Sequence, residues 1–406
     1  MNIRFSGRQR QVLTLCALMY MTAYLCRLTL SAALSGVMQA LNLSMARGGM
    51  LQTVFAVIYA SGQLVNGSLV DRVNPVRHLL LGLLGSALCN LAMGLCASYP
   101  AMLAVWSINA VFQSMMWTPV VRLLALYFQQ QRERERANAV IAFMLIAGHF
   151  AAWAVSGFVS ACSGWRLSFI APAVIAFLVC AAMLPLMRGL DVSRQEAAAR
   201  SQRPPHASSV QALLSTGFFF VLIACVLYGF IRDSVVTWAP TILSGISGGD
   251  AISSAAYPLI LPAINVLGVT LGVVVTRRGA RPYSVVILMM GAAILCSAAL
   301  LCTGGMLVTA ALLGMICAAM YGANPMLTGL IPLEYDRIGK TSLTAGLIDS
   351  MIYAGSALAG VCSGSIFENR GAQMLYIFFI LAGAASAVLM LLSRQMSSAY
   401  WTKNRE

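Results

Sequence analysis

Long apolar stretches, separated by short polar segments, run through almost the whole chain of 406 residues. Each stretch has about 20 or more mostly apolar residues, which is the length at which an α-helix crosses a lipid bilayer. The pattern predicts twelve membrane-spanning helices, in the ranges 11–39, 47–67, 76–97, 100–127, 137–161, 167–187, 211–243, 251–275, 282–302, 305–332, 340–366 and 372–393. The long polar segment 188–210 divides them six and six. We therefore predict an all-α membrane protein with an N-terminal six-helix half (1–187), a central loop (188–210) and a C-terminal six-helix half (211–406).

Composition agrees with this fold class and argues against a soluble protein. Hydrophobic residues make up 60% of the chain and charged residues only 9%, whereas soluble domains carry about 25% charged residues. This excludes a soluble enzyme. The sequence also lacks a recognisable nucleophile–base pair or metal-ligand cluster, so we expect no enzymatic activity, no cofactor and no metal.

The distribution of charged residues predicts the orientation of the chain. Of the 26 Lys and Arg residues, 21 fall in the termini and in loops on the same side as the termini, and three (Arg47, Arg166 and Arg370) fall on the opposite side. Cytoplasmic segments of membrane proteins carry such an excess of positive charge. We therefore expect a multi-pass protein of a bacterial inner membrane with both termini and the central loop in the cytoplasm. The net charge of +14 follows from this topology and requires no nucleic-acid partner.

The two halves share short motifs at a nearly constant spacing. The matched pairs, 205 to 207 residues apart, are the Gly67–Arg72 segment with the Gly272–Arg277 segment, Pro119 with Pro325, Arg27 with Arg232, and Ala147-Gly148 and Ser156-Gly157 with Ala354-Gly355 and Ser363-Gly364. Four pairs at one spacing indicate duplicated, pseudo-symmetric halves. Transporters built from such repeats place the substrate site near the middle of the membrane, where the halves meet.

Two arginines, Arg27 and Arg232, lie inside apolar stretches rather than in loops. The surrounding segments are LCALMYMTAYLCRLTLSAALSGVM and FFFVLIACVLYGFIRDSVVTWAPTIL. A cation in the middle of a bilayer costs about 2.5–3.5 kcal/mol, and a guanidinium group keeps its charge and binds phosphate or carboxylate through two parallel hydrogen bonds. We predict that both arginines face a central water-filled cavity and bind an anion. The alternatives are structural salt bridges or extension of the side chains toward the membrane surface.

Two carboxylates, Asp233 and Asp349, are predicted at membrane depth. Asp233 follows Arg232 directly, and because consecutive side chains on a helix do not face each other, we expect no ion pair between them. Asp349 lies one turn before Tyr353 on the same helical face. It is predicted either to pair with an arginine when the site is empty or to carry a coupling proton. The structural alternatives are a bond to a neighbouring helix or a place near the cytoplasmic entrance.

Tyrosines accompany the arginines. Tyr20, Tyr24 and Arg27 follow one another at spacings of four and three residues, which places them on one helical face. Three more tyrosines lie in the predicted spans 2, 10 and 11, namely Tyr59, Tyr321 and Tyr353. A tyrosine lines a cavity with an apolar ring and a hydroxyl donor. We predict that these side chains contact the substrate, with packing in the helix core as the alternative.

Two further polar residues lie within predicted spans. His149 in span 5 either relays protons or packs in the helix core. Gln63, near the end of span 2, either donates a hydrogen bond to a polar substrate or bonds a neighbouring helix.

A group of charges closes span 2 in the segment GSLVDRVNPVR, with Asp71, Arg72 and Arg77. An acid flanked by arginines at a helix end can join charges on neighbouring helices and interact with helix N-termini. We predict that these three residues form a conformational latch rather than a substrate site.

These motifs resemble those of a known family. The G-x-L-x-D-R motif after span 2, together with six plus six spans, resembles the major facilitator superfamily. The segments AYLCR in span 1, DRVNPVR after span 2 and FIRDSVVTWAPTIL in span 7 resemble the organophosphate:phosphate antiporter family, which includes the glycerol-3-phosphate and hexose-phosphate transporters. The resemblance covers essentially the whole chain.

The resemblance implies roles for individual residues. The two substrate-binding arginines of the family match Arg27 and Arg232, and its cavity tyrosines match Tyr20, Tyr24, Tyr59, Tyr321 and Tyr353. Two positions depart from the family pattern. Gln63 stands where the glycerol-3-phosphate type has a lysine, and the family's span-5 histidine falls on Ala147, so that His149 is expected to face elsewhere.

The sequence therefore predicts a secondary active transporter of a small organic anion that works by alternating access. The expected substrate is an organophosphate exchanged for inorganic phosphate, and the expected partners are this anion and the lipid bilayer, with a monomeric protein. One alternative is a proton-coupled symporter of a carboxylate or sulfonate, in which Asp349 titrates. Another is a transporter-like sensor of an external sugar phosphate.

Overall fold

The computed structural model describes residues 5–69, 73–128, 130–188, 190, 215–246, 256–335 and 341–403. Its helices are α1 Gly7–Leu41, α2 Met45–Leu69, α3 Pro75–Leu95, α4 Tyr99–Ser114, α5 Trp117–Tyr127, α6 Gln131–Ser163, α7 Trp165–Met187, α8 Phe218–Ile246, α9 Ile260–Arg277, α10 Pro282–Leu301, α11 Met306–Pro325 and α12 Thr341–Lys403. A 3₁₀ turn, Tyr257–Leu259, precedes α9; a π-helical turn, Met326–Leu330, and a short helix, Ile331–Leu333, follow α11. No strand occurs in these residues, so the all-α fold class is confirmed. Most of the predicted central loop lies outside them.

Ten helices in this part of the chain are long and apolar enough to cross a membrane. One difference from the twelve predicted spans is that span 100–127 is divided into α4 and α5 by a turn at Met115 and Met116. Pro119 gives the physical reason, because a proline ring clashes with the carbonyl group four residues earlier and has no N–H to donate. Its partner in the repeat, Pro325, directly precedes the π-helical turn. Both repeated prolines therefore mark a departure from regular α-helix.

The other difference lies in α12, which contains the predicted spans 340–366 and 372–393 as two helical segments on either side of a kink. Gly371 interrupts its helical geometry with φ 78°, a backbone conformation that glycine adopts without the steric penalty of a Cβ atom. We call residues 341–370 the first arm of α12 and residues 372–403 its second arm. Every predicted apolar span therefore corresponds to helix in the described residues.

The described residues form two compact units. The first unit comprises those within Met1–Asn42, Ile58–Arg203 and Ala251–Ala256. In this unit α1 packs against α3, α6 and α7, and α3 packs against α4 and α7. The apolar core is made of buried hydrophobic side chains, mostly of α1, α3, α5, α6 and α7. Other helices therefore enclose α1 over much of its length.

The second unit comprises the described residues within Leu43–Val57, Pro204–Asp250 and Tyr257–Glu406. In this unit α8 packs along α12, α9 packs against α11, and α10 contacts both α11 and α12. The first half of α2 also belongs to it: Thr53 Oγ1 donates a hydrogen bond to the carbonyl oxygen of Ala357 on α12 at 2.5 Å. The boundaries predicted for the two six-helix halves stay a prediction.

One contact recurs in both units at the spacing of the sequence repeat. In the first unit Thr29 on α1 and Ser156 on α6 share a buried hydrogen bond, with 3.1 Å between their hydroxyl oxygens. In the second unit the equivalent residues, Ser234 on α8 and Ser363 on α12, share one at 2.6 Å. The duplication seen in the sequence is therefore also present in the contacts between helices.

A glycine packed closely against the backbone of a neighbouring helix also recurs in both units, at Gly148 on α6 and at Gly355 on the first arm of α12. A Cβ atom at Gly355 would overlap with the carbonyl group of Val226 on α8, as one at Gly148 would with Met21. We expect Gly355→Ala to lower the free energy of unfolding by about 1–3 kcal/mol, the usual effect of overpacking, measured as thermal unfolding of the purified protein. The control is Gly346→Ala on the same arm, where no neighbouring atom lies within 4 Å. Equal stability of the two variants would contradict the prediction.

Candidate functional site

Arg27 lies on α1, and two buried amide side chains fix the helix at this level. Gln113 Nε2 donates to the carbonyl oxygen of Ala23 at 3.0 Å, and Asn90 Nδ2 donates to that of Cys26 at 2.9 Å. Gln113 also donates to Ser86 on α3 at 2.8 Å. The two accepting residues, Ala23 and Cys26, directly precede Tyr24 and Arg27 in the sequence. These bonds restrain the rotation of α1 about its axis and thereby the direction in which Arg27 extends.

The guanidinium group of Arg27 lies against aromatic rings. It is 4.3 Å from the centre of the Tyr59 ring and 5.7 Å from that of Tyr24, distances at which a cation is attracted to the face of a ring. Gln63 Nε2 donates to the Tyr59 hydroxyl at 2.7 Å. The first unit therefore brings together four of the residues that the sequence predicted: Arg27, Tyr24, Tyr59 and Gln63.

The aromatic contacts continue on both sides of Tyr24. The centre of its ring lies 5.3 Å from the centre of the Tyr20 ring and 4.7 Å from that of the His149 ring. The ring centres of Tyr20 and Trp117 are also 5.3 Å apart. His149 is buried, and its Nδ1 bonds the carbonyl oxygen of Leu145 at 2.9 Å. The expectation that His149 faces away from the site is wrong, because the ring stacks on Tyr24. Trp117 belongs to this aromatic group, and no spacing in the sequence connected it to Tyr20.

Arg232 in the second unit forms an ion pair with its neighbour in sequence. Its Nε lies 2.8 Å from Asp233 Oδ1 and its Nη2 lies 3.0 Å from Oδ2, so the two groups bond in parallel. Both side chains are 13% exposed. The expectation that they would not pair is wrong. It considered only the directions in which the two side chains leave the helix, whereas the long arginine side chain bends back until its fork meets both carboxylate oxygens.

Two other side chains define the surroundings of Arg232. Its Nη2 also donates to Ser356 Oγ on the first arm of α12 at 3.5 Å, and its guanidinium carbon lies 5.6 Å from the centre of the Tyr228 ring. Tyr228 is fully buried and donates to the carbonyl oxygen of Met320 on α11 at 2.8 Å. Tyr228 and Ser356 were not among the site residues predicted from the sequence. The position of Tyr228 one helical turn before Arg232 was an available signal for the first.

The remaining predicted residues of the second unit lie nearby. Tyr321 is close enough to Arg232 to interact with it electrostatically. Asp349 interacts in the same way with Cys225, which lies two turns before Arg232 on α8. Asp349 and Tyr353 precede Ser356 by seven and three residues, which places all three on one face of α12. Asp349 therefore lies on the face of α12 that packs against α8. The side chains of Asp349 and Tyr353 are partly exposed.

The predicted latch is described only in part, since Asp71 and Arg72 lie outside the described residues. Arg77 is exposed in the first turn of α3, and its backbone N–H donates to Asn74 Oδ1 at 3.2 Å. Near it, buried His78 Nε2 bonds Asn66 Oδ1 at 3.0 Å, and Asn66 donates to Ser114 on α4 at 2.8 Å. This polar contact of α2, α3 and α4 was not predicted. The latch itself stays a prediction.

Each of these two clusters contains one guanidinium group beside a tyrosine ring. In the second cluster the guanidinium group is paired with the Asp233 carboxylate. Within the described residues, no group of three or more His, Cys, Asp or Glu is placed to hold a metal ion. Guanidinium groups next to hydroxyl and amide donors match the oxygen atoms of phosphate, sulfonate or carboxylate groups.

Comparisons with known proteins identify a family and relatives of this chain. The profile of the Major Facilitator Superfamily matches residues 16–360. The chain is 26% identical over 367 residues to the glycerol-3-phosphate transporter of Bacillus subtilis (strain 168), covering 82% of each protein. It is 22% identical to the membrane sensor protein UhpC of Escherichia coli (strain K12), covering 96% of this chain and 93% of that protein. It is 24% identical to the probable sulfoacetate transporter SauU of Cupriavidus necator, covering 94% and 92%.

Solved structures show the same fold. The crystal structure of a bacterial homolog to the human lysosomal transporter Spinster, in an inward-facing and occupied conformation, matches with a TM-score of 0.70 and 17% identity. The match covers 99% of this chain and 98% of that one.

Proposed function

This chain belongs to the Major Facilitator Superfamily, and from that membership we propose that it exchanges an organophosphate for inorganic phosphate by alternating access. It is a multi-pass membrane transporter of this superfamily and not an enzyme. Our proposal adds the substrate, the exchange with phosphate and a place in a bacterial inner membrane with both termini in the cytoplasm. It includes no cofactor, and it treats the working protein as a monomer.

The observation that carries the proposal is the pair of arginines at repeat-equivalent positions. Arg27 and Arg232 are 205 residues apart, and each guanidinium group lies over the ring of a tyrosine on its own helix, Tyr24 and Tyr228. We propose that both arginines bind the phosphate group of the substrate. Arginine suits this role because its fork donates two parallel hydrogen bonds to phosphate oxygens and keeps its charge.

Neutral side chains around the arginines suit recognition of the rest of the substrate. We propose that Tyr20, Tyr24 and Tyr59 in the first unit and Tyr321 and Tyr353 in the second contact it. Gln63, bonded to the Tyr59 hydroxyl, replaces a charged lysine by a neutral amide that both donates and accepts hydrogen bonds. A site with one cation fewer favours a substrate with less negative charge or with more hydroxyl groups. The substrate is therefore expected to differ from that of the lysine-containing type.

The relatives support this substrate class and suggest one other. One is a glycerol-3-phosphate transporter, which favours an organophosphate. Another is named a probable sulfoacetate transporter, which favours the second candidate, a sulfonate moved with a proton. In that candidate Asp349 would carry the proton, because it is a partly exposed carboxylate within the second unit. His149 is a poorer carrier, since its ring is buried and stacked on Tyr24.

Exchange in proteoliposomes tests the proposal. We expect vesicles loaded with inorganic phosphate to take up labelled glucose 6-phosphate, a phosphate ester with more hydroxyl groups than glycerol 3-phosphate, without any imposed pH gradient, because exchange needs only the phosphate gradient. Vesicles without phosphate are the control and should take up little label. Uptake of sulfoacetate that requires a pH gradient and is lost in Asp349→Asn would replace the proposal by the second candidate. Binding of sugar phosphate without any flux would instead indicate a sensor, as the named relative is.

A further inference from the structure

A second basic site lies in the second unit, away from Arg232, where α10 begins and α12 ends. There a surface pocket of about 800 Å³ opens between the two helices. Its lining includes Arg281, Leu391, Arg394, Gln395, Ser398 and Thr402. Nothing in the transport proposal uses these residues.

The polar part of this pocket is suited to an anion. Arg281 precedes α10, and Arg394 lies on the second arm of α12, so the two cations come from different helices. Arg281 Nη1 donates to Ser398 Oγ at 3.3 Å, which connects the two sides. No acidic residue is among the described residues that line the pocket. Glu334 accepts a hydrogen bond from Ser397, and neither of these two residues lines the pocket.

The start of α10 adds to the positive potential. Arg281 is its N-cap residue, and no side-chain hydrogen bond caps this end of the helix. The N-terminus of a helix carries a partial positive charge, although Pro282, the first residue of α10, has no N–H group to donate to an anion. This effect is secondary to the two arginines, but it acts at the same place.

Along one exposed stripe of α12, the side chains change from apolar to polar beside the pocket. Val388 and Leu391 lie on one stripe of the helix and are 54% and 41% exposed. The same stripe continues, at spacings of four, three and four residues, with the polar side chains of Gln395, Ser398 and Thr402. Exposed apolar groups followed along one stripe by polar ones mark the depth at which a helix leaves the hydrocarbon core of a bilayer. The adjacent aromatic pair Tyr400 and Trp401 is typical of this interface.

We propose that this pocket binds the headgroup phosphate of an anionic phospholipid in the leaflet on the side of the C-terminus. The headgroup lies between Arg281 and Arg394 and accepts a hydrogen bond from the Ser398 hydroxyl, whereas the Thr402 hydroxyl donates to the Ser398 carbonyl oxygen. The acyl chains extend along the exposed Val388 and Leu391. Basic pockets between membrane helices on the cytoplasmic side bind anionic lipid headgroups in this way, and the predicted topology places this end of the protein there.

Lipid titration of the purified protein tests this assignment. After removal of bound lipid, we expect phosphatidylglycerol to bind more tightly than phosphatidylcholine with the same acyl chains, measured by native mass spectrometry. In Arg281→Gln/Arg394→Gln the apparent affinity for phosphatidylglycerol should fall about 30-fold, since each basic residue near a lipid surface contributes about fivefold. Each single substitution should give an intermediate loss, which keeps the test usable where the double variant folds poorly.

The control removes the same charge at other exposed arginines of this unit, in Arg47→Gln/Arg370→Gln, and should bind phosphatidylglycerol like the unmodified protein. Equal binding by the Arg281/Arg394 double variant would overturn the assignment, as would equal affinity for phosphatidylcholine. Competition by inorganic phosphate at the concentration of the lipid would show that the pocket takes free anions, and would also overturn it. Since the readout is lipid binding, the result does not depend on whether the exchange of phosphate is confirmed.

Discussion

Arg27→Lys and Arg232→Lys are each expected to lower exchange by about 100-fold or more while the protein still inserts and folds. A lysine keeps the positive charge but replaces two parallel hydrogen bonds by a single point of contact. Loss of a charged hydrogen-bond pair to phosphate is worth about 3 kcal/mol, which corresponds to the expected factor. The measurement is initial uptake of labelled substrate into phosphate-loaded proteoliposomes, normalised to the amount of reconstituted protein.

A matched control is Arg166→Lys. Arg166 also lies against an aromatic ring, 4.3 Å from the centre of Trp165, and donates to the carbonyl oxygen of Cys96 at 3.2 Å, but it lies outside both arginine clusters. Its replacement should leave exchange within about twofold of the unmodified protein, as expected for a surface substitution. Normal exchange by both Arg27→Lys and Arg232→Lys would exclude a role for the two arginines in binding the transported anion.

The fold was predictable from the sequence because one physical requirement dominates it. A segment in hydrocarbon must satisfy its own backbone hydrogen bonds, so each apolar stretch of sufficient length becomes a helix. The apolar pattern alone does not show where a helix is interrupted or kinked. Pro119 breaks one predicted span into α4 and α5, and Gly371, with its non-helical backbone, is the kink between the two arms of α12. Both residues were visible in the sequence, but their effect depends on the local backbone.

The candidate site was predictable where its members share a helix or a repeat. Tyr24 and Arg27 were found by spacing, and Arg232 by its equivalence to Arg27. Ser356 was not predictable in this way, because it reaches Arg232 from another helix. Trp117 likewise reaches Tyr20 across the packing of α1 and α5. Such contacts depend on which helices are neighbours and on their rotation, and a single sequence records neither.

The Arg232–Asp233 ion pair leads to a second prediction with a large effect. The carboxylate of Asp233 occupies the fork of Arg232 through two hydrogen bonds of 2.8 and 3.0 Å. A phosphate group that binds the same fork must compete with it. If Arg232 binds the substrate as proposed, Asp233 is therefore expected to stabilise the protein without substrate and to weaken the binding of substrate.

We expect Asp233→Asn to separate these two effects. Without ligand, the variant should lose up to about 3 kcal/mol of unfolding free energy, because it leaves a largely buried guanidinium group without its counter-charge. Substrate should bind about 10-fold more tightly, as one competing charged hydrogen bond is removed, so ligand should restore most of the lost stability. Exchange should be slower, since release of the anion becomes harder. Thermal unfolding with and without glucose 6-phosphate measures the first two effects, and proteoliposome exchange measures the third.

The neutral double variant Arg232→Gln/Asp233→Asn identifies the cause. If the instability of Asp233→Asn comes from an unpaired charge, removing that charge as well should recover stability in the absence of ligand, although the double variant should not exchange substrate. Such non-additivity is expected only for residues that interact directly. A double variant no more stable than Asp233→Asn, or an Asp233→Asn protein with unchanged affinity, would mean that the carboxylate does not compete with substrate. Asp233 would then be a fixed structural partner of Arg232, and the phosphate group would have to be bound by Arg27 alone.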